Sequence, residues 1–395
     1  MSDNYERSRQ DRRARLEERK REKLRKERLR RLWIKRLKLL VPAVILIVGL
    51  IVIIVNVASC AKKKAAEKNS ESVSEVIITE NPESGGKRPN PDSATVKYDP
   101  SKDYPYKNHN RVVDGKITVG DVEFLAGYTA QKTGSTISPP EEISQSLFSI
   151  LIDASTGEIV AERDAYDRMY PASMTKVMTL LVAVEHLHTL DDKIIVSQEA
   201  ADYSYSHGGS AVNWSPGEEI TVKDLLYGCI LSSGADACYD LAVYVAGDLD
   251  SFVELMNEKV EELGLSATTH FTNVAGFYDD NHYTTAYDMA MILKAAVEND
   301  LCREVMSAHT YTTPSTEEHP EGILISNWFL RRIEDKDSKG LVLCAKTGFV
   351  NQSGNCAASY MISNSGRPYL CVTGHAHSAW RAIYDHVGLY YNYTK

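Results

Sequence analysis

The chain has 395 residues, of which 43% are hydrophobic and 25% charged, and its formal net charge is −9. This composition is ordinary for a globular protein and excludes a collagen-like or wholly disordered chain. Residues 1–38 hold 17 Lys and Arg against 7 Asp and Glu, so the remaining residues carry −19. A basic arm on an acidic body indicates two environments or two partners. Nucleic-acid binding by the arm is the alternative, and the segment that follows argues against it.

A membrane-spanning helix is predicted for residues 39–59. From Leu39 to Ser59 the chain has no charged side chain and consists mostly of Val, Ile and Leu. Such a segment, at about 1.5 Å per residue, crosses the roughly 30 Å hydrocarbon core. A buried core helix would instead be apolar on one face only. The Lys and Arg excess before the span keeps the arm in the cytoplasm. We therefore predict a single-pass membrane protein with an extracytoplasmic body and no nucleic-acid partner.

The cysteines leave two alternatives open. Val57-Ala58-Ser59-Cys60 resembles a bacterial lipoprotein cleavage site, in which Cys60 is lipidated. The arm is longer than a signal n-region and the span is long for an h-region, which favours an uncleaved helix. The 7 cysteines are few for a disulfide scaffold, and the sequence does not pair them, although an extracytoplasmic compartment permits disulfides. No Cys or His spacing is typical of zinc, so we predict no metal and no cofactor.

Composition divides the rest of the chain into three parts. Residues 60–105 are rich in Lys, Glu, Ser, Pro and Gly without apolar periodicity, which predicts a flexible linker. Residues 106–145 are an ambiguous lead-in segment with a short strand or hairpin between Val119 and Tyr128. Residues 146–395 are the folded body.

Apolar patterns predict strands at both ends of this body and helices between them. Residues 147–153 form a buried strand that pairs, across Ser155-Thr156-Gly157, with a second strand through Ile159 and Val160. Later strands are predicted at Leu341–Lys346, Asn355–Ile362 and Tyr369–Thr373. Helices are predicted at Met174–His188, Val222–Leu231, Ala235–Val245, Ser251–Leu263, Ala286–Val297 and Ser378–Tyr390. The expected fold is α+β, with an antiparallel sheet built from both ends of the domain, flanking helices and an inserted helical lobe.

Ser173 and Lys176 are the first element of candidate chemistry. Ser173 opens a predicted helix, and Lys176 lies one turn later on the same side. A serine hydroxyl needs a neighbouring base, and a lysine serves when burial or a second cation destabilises its ammonium form. The positive end of the helix dipole favours an oxyanion beside Ser173. Alone, the pair occurs often by chance and is better explained as a helix N-cap and a surface lysine.

Two further elements follow in order, Ser233-Gly234-Ala235 and Lys346-Thr347-Gly348. Lys346 is the candidate second cation, and with Thr347 it can grip a carboxylate where Gly348 lets a substrate backbone approach. Ser233 follows a predicted helix, where its hydroxyl can reach both lysines and relay a proton. Each alone is an ordinary strand end or helix C-cap. All three in this order are typical of penicillin-binding proteins and class A β-lactamases.

A more specific resemblance follows from the residues around Ser173. The stretch Tyr170-Pro-Ala-Ser-Met-Thr-Lys-Val-Met-Thr179 is similar to the Pro-Ala-Ser-x-Thr-Lys signature of the serine D-alanyl-D-alanine carboxypeptidases, the low-molecular-mass penicillin-binding proteins. The resemblance extends over residues 148–391 and includes Ser215-Pro-Gly-Glu218 and Ala345-Lys-Thr-Gly-Phe349. It implies that residues 146–395 are a catalytic domain that removes the terminal D-Ala from peptidoglycan stem peptides. The intermediate would be an acyl-enzyme on Ser173, and β-lactams would be covalent inhibitors.

The resemblance also implies a role for each site residue. Ser173 would be the nucleophile and Lys176 its base, while Ser233 and Lys346 would shuttle protons. Backbone N–H groups of Ser173 and Phe349 would form the oxyanion hole. The substrate would be bound by a strand segment in which Thr347 holds the terminal carboxylate. That segment consists of Lys346, Thr347, Gly348 and Phe349.

The sequence departs from the family pattern in three respects. Ala235 stands where the family usually has Asn, an amide that contacts the substrate and the catalytic lysine. Asn273-Val-Ala-Gly-Phe277 replaces the usual Asn-x-His-Gly-Leu, which we interpret as a structural change. The chain ends after the helix near Tyr390, so we expect no C-terminal β-domain or amphipathic tail. The N-terminal helix would then be the anchor.

Two alternative functions remain. A β-lactamase needs a deacylating base, and the only superficial candidate, Glu254 in Glu254-Leu-Met-Asn257, falls within a predicted helix where packing explains it better. A catalytically weak protein that binds penicillin or wall peptide is favoured only by Ala235, since Ser173, Lys176 and Lys346 are all present.

Overall fold

The computed structural model describes residues 104–395. The basic arm, the predicted span at 39–59, Cys60 and nearly all of the predicted linker lie outside the described residues. Within residues 104–395, no helix is both long enough and apolar enough to cross a bilayer.

The body is organised around a six-stranded sheet to which both ends of the domain contribute. Its strand order is β10-β11-β12-β4-β5-β3. The twelve strands of the described chain are β1 (Lys116–Val119), β2 (Val122–Leu125), β3 (Gln131–Ile137), β4 (Phe148–Asp153), β5 (Glu158–Arg163), β6 (Lys193–Ile195), β7 (Glu219–Thr221), β8 (Thr310–Thr312), β9 (Leu324–Ser326), β10 (Gly340–Val350), β11 (Gly354–Ser363) and β12 (Pro368–Ala376).

The predicted construction of the sheet is confirmed with one correction. Strands β10, β11, β12, β4 and β5 pair antiparallel, but the edge strand β3 pairs parallel with β5. Nearly every residue of β3 is exposed, so this strand has no apolar alternation by which sequence could identify it. The segment from Val119 to Tyr128, predicted as a short strand or a hairpin, contains the strand β2. Its partner β1 begins earlier, at Lys116, and the two form a separate two-stranded sheet.

The described chain contains nine α-helices. They are α1 (Thr175–Glu185), α2 (Gln198–Ser206), α3 (Val222–Leu231), α4 (Ala235–Ala246), α5 (Leu249–Glu262), α6 (Ala286–Glu298), α7 (Asp300–Ser307), α8 (Leu330–Ile333) and α9 (Ala379–Tyr393). Every residue of α1 is buried, which identifies it as the central helix of the core. It contacts α3, α4 and α5 of the helical lobe on one side and α6 on another.

The two faces of the sheet bury different side chains. Ile150 and Ile152 of β4 belong to the large core that includes α1 and α6, whereas Leu151 belongs to a second core with Ile383 of α9. This alternation is expected for a strand that is covered on both faces. The body is therefore layered, with α9 on one face of the sheet and α1, α6 and the helical lobe on the other.

Local sequence explains where α3 begins. Thr221 is its N-cap and accepts a hydrogen bond from the backbone N–H of Asp224 at 3.1 Å. The Asp224 side chain in turn accepts one from the Thr221 N–H at 2.8 Å, which completes a capping box. The cap fixes where α3 begins, and the helix ends at Leu231, two residues before Ser233.

Candidate active site

The three predicted elements meet at one cavity of about 330 Å³. Ser173 lies in a 3-10 turn, Ala172–Met174, immediately before α1. Ser233 lies in the corner between α3 and α4, and Thr347 and Gly348 lie on β10. Six of the predicted site residues line this cavity: Ser173, Lys176, Ser233, Thr347, Gly348 and Phe349.

The Ser173 side chain has the predicted lysine beside it. Lys176 Nζ donates to Ser173 Oγ at 3.1 Å and to the Ala275 carbonyl oxygen at 2.7 Å. Lys176 is only 1% exposed, so little water competes for these bonds. The Nζ–Oγ distance permits direct proton transfer between the two groups. A nucleophile with an adjacent, oriented base is the arrangement needed for acyl transfer.

The turn that presents Ser173 is held in an unusual backbone conformation. Ala172, which precedes it, has φ +47°, in the left-handed region that L-residues seldom adopt. Two glycines pack against this turn. A Cβ on Gly276 would lie 1.8 Å from the Ala172 carbonyl oxygen, and one on Gly348 would lie 2.9 Å from Ser173 N. Because only glycine fits at both positions, β10 and the Gly276 loop can approach the turn closely.

Lys346 lies behind the cavity wall and reaches the site through Ser233. It is 2% exposed, and its Nζ donates to Ser233 Oγ at 2.9 Å and to the Thr347 carbonyl oxygen at 2.8 Å. Burial, and next the positive charge of Lys176, lower the pKa of Lys346 to about 7. Lys346 can therefore gain or lose a proton near neutral pH. From the residues alone, Lys346 is predicted as the cation that acts on Lys176 and, with Thr347, as a partner for a carboxylate.

Ser233 is positioned as predicted, with one difference. It follows α3 by two residues and has φ +56°, which allows the chain to turn sharply into α4. Its hydroxyl accepts from Lys346, but Lys176 donates to Ser173 and Ala275. Within the described chain, Ser233 is thus joined to one lysine rather than to both.

Lys346-Thr347-Gly348 was predicted to end a strand, and this is wrong. Strand β10 continues to Val350, and all three residues are paired with β11, Thr347 opposite Ala357 and Gly348 opposite Cys356. The pairing holds this segment along the cavity as a straight edge. Thr347 is half-buried and Phe349 is 59% exposed.

Asn273 was not identified from the sequence as the residue that holds the second hydrogen-bond partner of Lys176 in place. Asn273 Oδ1 accepts hydrogen bonds from the backbone N–H groups of Ala275 at 3.2 Å, Gly276 at 2.7 Å and Phe277 at 3.0 Å. These bonds fix the loop whose Ala275 carbonyl accepts from Lys176. An Asn followed three residues later by Gly is a turn signal that could have indicated this role.

His282 ties the same loop to the start of α1. Its Nδ1 accepts from the Thr272 N–H at 3.0 Å, so its Nε2 carries the proton and donates to Thr175 Oγ1 at 2.7 Å. Burial lowers the pKa of His282 to about 3, which keeps the ring neutral and preserves this pattern. His282 is therefore a positioning residue that acts on Lys176 indirectly, through its hydrogen bonds to Thr175 and Thr272.

Ala235 is completely buried under a neighbouring loop. Its backbone N–H donates to the Ser210 carbonyl oxygen at 2.7 Å, and the Asp236 carboxylate accepts from the N–H groups of Val212 and Asn213 at 2.9 and 3.1 Å. A Cβ on Gly209 in this loop would lie 3.1 Å from Ala235 Cβ and 2.9 Å from the Phe277 ring. The small side chain at position 235 is thus packed over, not left facing an open space.

The comparisons with known proteins agree with this geometry. The family model described as D-alanyl-D-alanine carboxypeptidase, peptidase family S11, matches residues 133–375. The D-alanyl-D-alanine carboxypeptidase DacF of Bacillus subtilis is 41% identical over 149 residues, 37% of each chain. DacA of Haemophilus influenzae is 31% identical over 272 residues, 64% of each chain. The alignments with DacF of Bacillus subtilis and with DacC and DacD of Escherichia coli span 37–46% of those relatives' lengths.

Solved structures show the same fold. A mutant of the Streptomyces K15 DD-transpeptidase superposes with a TM-score of 0.57 at 24% identity, over 64% of this chain and 99% of that one. A D-alanyl-D-alanine carboxypeptidase from Mycobacterium tuberculosis gives 0.57 at 24% identity, over 67% and 95%. The predicted α+β architecture is therefore confirmed, and the chain belongs to the D-alanyl-D-alanine carboxypeptidase family, peptidase family S11.

Proposed function

We propose that the body is a serine D-alanyl-D-alanine carboxypeptidase that removes the terminal D-Ala from peptidoglycan stem peptides. The observation that carries this proposal is the 3.1 Å hydrogen bond between Lys176 Nζ and Ser173 Oγ, at the wall of the cavity that β10 borders. The family match supports it, because the matched residues 133–375 include every site residue.

The first step is attack by Ser173 on the carbonyl carbon of the penultimate D-Ala. In its neutral form Lys176 takes the Ser173 proton as the C–O bond forms. The negative charge that develops on the substrate oxygen needs two N–H donors. Ser173 N lies beside Gly348, and the residue after it, Phe349, lines the cavity, which supports these two backbone groups as the donors.

The second step expels D-Ala, whose amine must receive a proton. Ser233 Oγ is hydrogen-bonded to Lys346 at 2.9 Å, and Lys346 has a pKa of about 7, so this pair can deliver the proton near neutral pH. Thr347 lies on the same edge and is the candidate partner for the substrate's terminal carboxylate. The Ser173 proton held by Lys176 then passes to the Ser233–Lys346 pair, which gave up its own proton to D-Ala. Water hydrolyses the acyl-enzyme with the neutral Lys176 as the base.

We further propose that this chemistry takes place outside the cytoplasm. The support is in the sequence, where 17 Lys and Arg in residues 1–38 precede an uncharged segment at 39–59. Peptidoglycan would then be the partner of the body and the membrane the partner of the span, while β-lactams would acylate Ser173 as covalent inhibitors.

The two alternatives receive less support. Glu254, the superficial candidate for a β-lactamase base, is exposed on α5 and does not line the cavity. A weak binding protein was favoured by Ala235, but the packing of Gly209 over Ala235 points to a site built around the small side chain. Hydrolysis by an adapted enzyme remains the proposal.

Release of D-Ala from a pentapeptide ending in D-Ala-D-Ala tests the proposal. We expect release by the purified protein and none by Ser173→Ala. The matched control is Ser266→Ala, because Ser266 is exposed after α5 and has no part in the site. Equal release by folded Ser173→Ala would overturn the assignment. Transfer of the acyl group to an added amine, without free acid, would make the chain a transpeptidase.

A further inference from the structure

Two buried thiols lie side by side behind the site, at Cys229 and Cys238. Cys229 is in the last turn of α3 and Cys238 is in the first turn of α4. Their sulfur atoms are 3.2 Å apart and joined by a hydrogen bond, and both side chains are completely buried. Neither residue has a part in the proposed mechanism.

The pair brackets a site residue in the chain. Ser233 lies between the two cysteines, in the left-handed corner that joins α3 to α4. Cys229 Sγ also lies 4.0 Å from the Lys176 carbonyl oxygen, so it contacts the backbone of α1 that carries the base. The two sulfurs therefore lie next to the segments that hold Ser233 and Lys176.

This arrangement differs from that of other buried cysteines of the described chain. Cys302, Cys344 and Cys356 approach the backbone carbonyl oxygens of Leu180, Arg303 and Ser353. These thiols are weak donors to a backbone carbonyl oxygen, whereas the sulfurs of Cys229 and Cys238 contact each other.

We propose that Cys229 and Cys238 are an oxidisable dithiol, which a small hydroperoxide converts to a disulfide, and that this bond slows acylation of Ser173. The oxidation site does not depend on the proposed function, whereas its effect on acylation rests on it. Hydrogen peroxide is the oxidant we choose, because it is small and uncharged and can therefore reach a buried sulfur.

The step balances with one peroxide for two thiols. The Cys238 sulfur attacks one peroxide oxygen, the O–O bond breaks, and the departing hydroxide takes a proton to become water. The Cys229 sulfur then attacks the resulting sulfenic sulfur, the S–S bond forms and the S–O bond breaks. The second hydroxide leaves as water with the Cys229 proton. Two thiols lose two electrons, and one hydrogen peroxide is reduced to two waters.

The electrostatic surroundings support this order of events. Burial by itself raises the pKa of the Cys238 thiol, but the hydrogen bond between the sulfurs and the charge of Lys176 outweigh it and lower the pKa. Burial raises the pKa of Cys229 well above its usual range. The thiolate is the attacking form, so Cys238 reacts first and Cys229 resolves the sulfenic acid.

A disulfide would move the two helices. The sulfurs must approach from 3.2 Å to about 2.05 Å. The corner that bears Ser233 connects these helix ends directly, so a shift of the helix ends would lengthen or misalign the 2.9 Å hydrogen bond from Lys346 to Ser233. Since a misplacement of about 1 Å in a catalytic site can cost roughly 100-fold, we expect acylation to slow by roughly 10- to 100-fold.

The test uses the full-length protein, reduced and then treated with hydrogen peroxide. Peptide mass spectrometry should show a disulfide between the peptides that carry Cys229 and Cys238. The rate of labelling by a fluorescent penicillin should fall by roughly 10-fold or more and recover with dithiothreitol. Cys229→Ser should lose both effects. Cys371→Ala, which removes another buried thiol on β12, should behave like wild type.

The outcomes separate this proposal from the proposed function. No disulfide, or a Cys238 sulfinic acid instead, would overturn it whatever the activity of the protein. A disulfide without slower labelling would overturn the effect on acylation. If Cys229→Ser does not give a native circular dichroism spectrum, Cys229→Ala is used in its place. Recovery of labelling by dithiothreitol is measured in the wild-type protein and so tests the effect without any variant.

Discussion

Replacing Ala235 with Asn tests whether the site has been rebuilt around a small side chain. The family usually has Asn at this position, so the substitution restores the expected motif. In the structure, however, Ala235 is completely buried and Gly209 packs over its Cβ. The Phe277 ring lies on the same side of Gly209 as Ala235, at 2.9 Å from where a Cβ on that glycine would lie. An amide at position 235 would have to displace this loop.

The magnitudes decide the expected direction. Overpacking of a well-filled site costs about 1–3 kcal/mol, and a buried amide without partners costs about 1–3 kcal/mol. A restored polar contact with substrate would contribute about 1–3 kcal/mol in return. Because Ala235 is completely buried and Gly209 packs against it, we expect the costs to exceed the gain. Turnover should fall by roughly 5- to 150-fold.

The assay is D-Ala release from a pentapeptide, with thermal unfolding measured in parallel. Ala267→Asn, at an exposed position, is the matched control and should leave both quantities unchanged. Ala235→Asn should cost less in a Phe277→Leu background, because removing the ring gives the loop room to move. A tenfold gain in D-Ala release by the single Ala235→Asn substitution would refute the reasoning and mark the natural site as impaired.

Three further predictions address other parts of the account. Gly348→Ala should reduce the rate of penicillin labelling by roughly 10-fold or more, because its Cβ would lie 2.9 Å from Ser173 N. The control Gly134→Ala, which has open space around it, should label at the wild-type rate. Equal labelling rates for the two variants would contradict the close approach of β10 to Ser173. The pKa of Lys346 falls from 10.5 in the unfolded chain to about 7 in the fold, so the unfolded state binds the extra proton between these values. The free energy of unfolding should therefore rise with pH across that window, and chemical denaturation of Lys346→Met should show a smaller rise. The same dependence of unfolding free energy on pH in both proteins would contradict the lowered pKa of Lys346. A reporter fused after Lys395 should be active only outside the cytoplasm, and protection of the body from protease in intact protoplasts would reverse the topology.

The helical lobe could be predicted from the sequence because its signals are local. The bounds of α3, Val222–Leu231, were predicted without error, since a capping residue precedes it and the polar Ser232-Ser233-Gly234 follows it. Ser173 and Lys176 were also correctly placed near each other, because a spacing of three residues in a helix fixes their side.

The remaining features depend on contacts between distant segments. The predicted β10 was too short because Thr347-Gly348 resembles a strand end, yet pairing with β11 continues past it. The role of the Ala275 carbonyl as a partner of Lys176 joins residues that are 99 positions apart, and no local pattern encodes it. The positive φ of Ala172 runs against the preference of an L-residue and occurs where Gly276, 104 positions later in the chain, packs closely against it.

The most direct test of the central claim is to identify the residue that carries the acyl group. The full-length protein is incubated with penicillin, quenched in acid and digested, and the modified peptide is sequenced by mass spectrometry. We predict one adduct, on Ser173, because Lys176 Nζ lies 3.1 Å from its hydroxyl. Stoichiometric acylation of another residue, or of a folded Ser173→Ala protein, would contradict the account.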